Sequence, residues 1–194
     1  MSTLNLTAEL ERLIAHIAVS HDAFRHIDAG RLMVCVSTTR GGGVHGTYAR
    51  IHPLRFPGGG KGATLRRGRR SYACTFPTIT HQGRDILYLI YFHIPRFLNL
   101  SLREKLITVF HELYHVSPTF DGDIRRFQGR NFAHGSSKKR YNDLMASLAD
   151  DYLLLPDAAE MTGFLEGDMT LLRQRWGTIV GRKMATPRLK VEPL

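Results

Sequence analysis

The chain has 194 residues, 43% of them hydrophobic and 9% aromatic, which is enough apolar material for one buried core and excludes an intrinsically disordered chain. Its 27 basic against 17 acidic residues leave a formal charge of +10, which favours acidic partners. There is no run of the roughly 18 to 20 apolar residues a membrane helix needs, no basic-then-apolar leader and no CxxC pair around Cys35 or Cys74. Together these features predict a cytoplasmic protein without a membrane partner, its two thiols buried and chemically idle.

Residues 7–29 carry Leu10, Leu13, Ile14, Ile17, His21 and Phe24 at helical spacing, with Thr7 as the capping residue and Gly30 beyond the end. His21 falls on that apolar stripe and reads as a core histidine. Four β-type runs follow, at residues 32–37, 48–51, 71–79 and 86–92, and predict a small twisted sheet. The Gly41 to Gly43 and Gly58 to Gly60 runs fit neither a P-loop nor a dinucleotide fingerprint and read as connections. The 86–92 run is apolar on both faces. That argues for a central strand, although a place beside the active cleft would let an extended substrate add to it.

Ser101 with Glu104 forms a capping box that opens a helix over residues 102–117, which Pro118 ends. After an irregular segment, a second helix over residues 137–155 presents Tyr141, Leu144, Met145, Leu148, Tyr152 and Leu155 on one stripe. A weaker helical signal covers residues 171–179. The expected fold class is therefore α+β: an N-terminal helix, a small twisted sheet, a motif helix and a following packed helix. One domain is expected over residues 1–180, with residues 181–194 as a basic, mobile tail.

The chemistry is concentrated in His111-Glu112-Leu113-Tyr114-His115. Four residues apart on a helix, His111 and His115 lie about 40° apart and can converge on one ion, while Leu102, Leu106, Val109, Leu113 and Val116 face the core. Neutral imidazole is a good zinc ligand, and a three-ligand zinc site keeps a position for water. Glu112, about 100° from His111, is placed to serve as general base on that water. One catalytic Zn2+ per chain is the expectation, with a protein or peptide as substrate. A third ligand must come from elsewhere. His134 is preferred because it precedes the next helix, in a loop that can fold back over the metal; Asp121, Asp123, Asp150 and Asp151 are the acidic alternatives. Asp121 and Asp123 could also hydrogen-bond the ligand histidines through their carboxylates, and the run they open, which ends at Arg126, could supply an Arg for a substrate carboxylate or simply form a turn stapled by local Asp–Arg pairs.

Three stretches, IPRFLNLSLREKLITVFHELYHVSP, FDGDIRRFQGR and AHGSSKKRYNDLM, resemble an uncharacterised family of phage metallopeptidases. More distantly the chain is similar to the SprT-like zinc proteases, in which HExxH is followed by His-Gly and a helix with a methionine. That pattern maps onto His111, Glu112, His115, His134, Gly135 and Met145, with a longer interval between His115 and His134. The resemblance implies a zincin-like metallopeptidase with His134 as third ligand, working in the host cytoplasm if phage-encoded. SprT-like members also act near DNA. Arg66, Arg67, Arg69 and Arg70 form a basic cluster suited to phosphate contact, and a solvated basic face is the simpler account of it. A competing function is thus a nucleic-acid-binding protein with a structural or vestigial zinc site.

Overall fold

The computed structural model describes residues 2–39, 47–127 and 137–194, and shows a mixed α+β fold. It begins with a short strand, β1 (Thr3–Asn5), and helix α1 (Leu6–Ser20). Leu10, Leu13, Ile14 and Ile17 recur at i, i+3, i+4 and i+7 and are fully buried. Both helix ends differ from expectation. Asn5, not Thr7, accepts the Ala8 N–H at 3.2 Å, while Thr7 packs inside. At the other end His21 turns extended and accepts the Ala23 N–H, so the helix stops at Ser20 and two 3-10 turns follow.

The chain then forms β2 (Leu32–Thr38), β3 (Ala49–Pro53), β4 (Gly62–Arg67), β5 (Arg70–Thr75), the two-residue strands β6 (Thr80–His81) and β7 (Arg84–Asp85), and β8 (Tyr88–Ile94). In the main sheet β8 is the middle strand, parallel to β2 and antiparallel to β3. Its two apolar faces serve two cores. Tyr88, Ile90 and Phe92 join Val34, Val36 and the α1 stripe, whereas Leu89 and Tyr91 pack with Met33 and Cys35 on the other face. Both cysteines are buried and free.

Ser101 and Glu104 form the expected capping box, and α2 (Leu102–Tyr114) follows, then α3 (Lys138–Leu153), α4 (Ala158–Thr162) and α5 (Met169–Trp176). α2 and α3 run antiparallel. At one end Arg103 grips Asp150 with two bonds of 2.7 Å, and at the other the Tyr141 ring lies 5.0 Å from that of His111. Tyr141, Met145, Leu148 and Tyr152 are buried as the stripe predicts, but Leu144 stays 39% exposed. Lys105 of α2 is fully buried, its Nζ donating to the carbonyls of Leu165 and Gly167.

The C-terminal stretch contains two short strands. β9 (Thr178–Val180) pairs parallel with β1, and β10 (Lys190–Pro193) pairs antiparallel with β5. Across the second pair Val191 meets Cys74 and Pro193 meets Tyr72, apolar contacts that the basic composition hid. Among the described residues no helix is long and apolar enough to cross a membrane.

Candidate metal centre

His111 lies in the last turn of α2, and His115 is its C-cap with helical backbone angles, so the i, i+4 relation survives to the helix end. Arg125 secures that end. Its Nε donates to the Tyr114 carbonyl at 2.8 Å, its backbone N–H to the His115 carbonyl at 2.7 Å, and its guanidinium sits 4.2 Å from the Tyr114 ring centre. The two histidine Nε2 atoms are 3.1 Å apart. Two nitrogens bound tetrahedrally to zinc, each about 2.0–2.1 Å from it, would lie about 3.3 Å apart. The imidazole pair is therefore spaced as adjacent ligands of one ion would be. Tyr141 of α3 backs the pair, its ring stacked on His115 at 5.7 Å and its hydroxyl donating to the His111 carbonyl at 3.3 Å.

Glu112, next to His111 on the helix, is only 6% exposed. Burial pushes its carboxyl up to about 7, and a hydrogen bond from the Ile51 backbone N–H partly offsets the shift. That N–H belongs to β3, the outer strand of the main sheet, and points away from β8. A cleft of about 370 Å³ opens here, lined by Tyr48, Ala49, Ile107, Thr108, His111, Glu112 and Asn142 among others. The strand flanking the candidate centre is thus β3 rather than the 86–92 run. β8 is separated from the cleft by β3, because its two-sided apolarity is satisfied only in the middle of the sheet.

The other expected site residues fall in different places. His134 lies outside the described residues. Among those described, no group of three or more His, Cys, Asp or Glu side chains gathers as an ion cage, so the described part of the centre consists of His111, His115 and the adjoining Glu112. Asp121 and Asp123 sit in the turn that follows α2. Asp121 accepts from the Thr119 hydroxyl at 2.9 Å and the Asp123 N–H at 3.1 Å. Asp123 accepts from Arg126 at 3.0 and 3.1 Å and from the Gly58 N–H at 3.3 Å. For both carboxyls burial opposes the charge, but these bonds outweigh it and hold each pKa below the usual range. These contacts match the locally stapled turn. Asp150 is committed to Arg103, and Asp151 is exposed. Arg66, Arg67, Arg69 and Arg70 are all exposed at the β4–β5 hairpin, where Gly68 adopts φ 60° in the turn.

In the sequence Tyr141 falls on a core stripe and Ile51 has no visible tie to the centre, while Arg125 lies in the run expected to offer an Arg to substrate and is found holding the end of α2. The Tyr141 stripe position carried a usable signal, because a helix docked antiparallel on the motif must bring its first turn to the motif's end. Comparison of the chain with protein-family models, curated proteins and solved structures yields no match in any of the three.

Proposed function

We propose that the protein is a zinc-dependent metallopeptidase, with His111 and His115 as ligands, His134 as the third, and Glu112 as general base. The observation that carries this reading is the 3.1 Å approach of the His111 and His115 imidazole nitrogens, with His111 and the buried Glu112 lining one cleft. Zinc bound there would polarise a substrate carbonyl and acidify a water. Glu112 takes the proton of the attacking water and passes it to the departing amine nitrogen, a role suited to a carboxyl held near neutrality. The Ile51 N–H steadies the ionised form of Glu112, and Tyr141 keeps the His115 ring in its plane. β3 offers its outer edge to an extended peptide, with Ala49 on the cleft wall.

The test is Glu112→Gln on a substrate selected from a peptide library. The variant should retain zinc and fold while losing at least a thousandfold in kcat/KM. Cleavage at the wild-type rate would refute the assignment of Glu112.

A second reading is favoured by a separate observation. The four arginines of the β4–β5 hairpin are exposed and have no ion-pair partner among the described residues, leaving their charge available to phosphate. Nucleic-acid contact by this hairpin is compatible with the peptidase reading and is also the core of the rival one, in which zinc is structural.

A further inference from the structure

A larger cavity, of about 480 Å³, lies at the carboxyl ends of the parallel strands β2 and β8 and is lined by other residues than the candidate metal centre. Its apolar wall includes Leu6, Ile94, Met169 and Ile179. Arg173 of α5, Lys183, Thr38 and Thr170 also line it. No carboxylate lines it, and neither cation has an ion-pair partner among the described residues. The neighbouring Arg182 is in a different position, since it is tied to Glu11 and to the Val34 carbonyl. Residues 181–183 are pinned against β2 by the bond from the Val36 N–H to the Arg182 carbonyl at 2.8 Å. They are also held by the close fit of Gly181, where a Cβ would stand 2.9 Å from Val36. The wall bearing Lys183 is therefore held in place by the sheet.

A concave site with an apolar body and a few convergent polar groups is the usual form of a small-molecule pocket, and strand carboxyl ends are its usual place in sheets with parallel strands. Two uncompensated cations in the lining select the sign of the ligand. We propose that this cavity binds a small amphipathic anion, with a carboxylate or phosphate-monoester head held by Arg173 and Lys183 and an apolar body against Leu6, Ile94, Met169 and Ile179. The site is independent of the metal centre, and its test does not depend on hydrolysis.

The experiment is a titration of the isotope-labelled full chain, followed by amide NMR shifts, with hexanoate, hexyl phosphate and inorganic phosphate. The expected result is saturable binding of hexanoate or hexyl phosphate, whichever head the cations prefer, with shifts confined to residues 36–38, 94–99 and 169–183. Inorganic phosphate should bind at least tenfold more weakly, because it lacks the apolar body. Arg173→Gln and Lys183→Gln, both at exposed positions, should each weaken binding about tenfold, and together abolish it. The proposal is overturned by no saturation with either amphipathic probe, by equal binding of inorganic phosphate, or by an unchanged affinity in the double variant. Shifts centred on the arginines at 66–70 would overturn it as well, by showing a surface charge effect.

Discussion

Tyr141 gives the candidate centre its back wall, and its 5% exposure means that truncation leaves a hole against both histidines. Tyr141→Ala should cost about 3 kcal/mol in chemical denaturation. Tyr141→Phe keeps the ring and removes the hydroxyl that donates to the His111 carbonyl, so about 1 kcal/mol is expected. Equal losses in the two variants would mean that the hydroxyl, and not the ring, supports the histidines. The third ligand is also decided at this scale. His134→Ala should lower zinc affinity at least a hundredfold, whereas Asp150→Asn should leave it unchanged, since that carboxylate is held by Arg103. A zinc-competition assay with a coloured chelator separates the two, and the reverse order would return the role to an aspartate. The histidine pair and Glu112 were legible in the sequence because a single helix turn fixes their relation. Ile51 was not, because it reaches the site through packing between elements, which no spacing encodes; for the same reason the stripe marked Tyr141 only as core.

Lys105 shows how α2 is anchored at the end away from the motif. Burial pushes its pKa down to about 8 from 10.5, with Asp168 opposing the shift. The native state therefore releases this proton at lower pH than the unfolded chain does. Between about pH 8 and 10.5 the unfolded state binds more protons, and this group's contribution makes the protein more stable as pH rises through that window. Denaturation midpoints of wild type and Lys105→Met should therefore diverge in favour of wild type from pH 8 to 10.5. A constant difference would show that the lysine is not desolvated in the native state. The helix start follows local rules, and Ser101→Ala should cost about 1 kcal/mol by unmaking the capping box. That box and Pro118 made α2 readable to within a few residues. β4 was missed for a physical reason: its six residues are exposed on both faces, so no alternation of apolar and polar residues marks them. β9 and β10 were missed because their partners, β1 and β5, lie far away in sequence.

Across the whole molecule the α+β class and the central place of the 86–92 run followed from composition and periodicity, while the division of the strands into separate small sheets did not. Pairing between distant segments decides that division, and a single sequence carries little signal of it. The +10 charge also acts at this scale, and the structure collects part of it on one exposed hairpin. If the hairpin contacts phosphates, log affinity for a DNA duplex should fall steeply with log salt concentration. Replacing Arg66, Arg67, Arg69 and Arg70 with Gln should then flatten the slope by about 3 to 4, near 0.9 for each lost contact. An unchanged slope would remove the hairpin from nucleic-acid binding. Whether the histidine pair holds a metal is read from the zinc content of the dialysed chain beside that of a His111→Ala/His115→Ala double variant. One zinc per wild-type chain and none in the double variant is the predicted result; a wild-type chain without zinc, or a double variant that holds as much, would contradict the account.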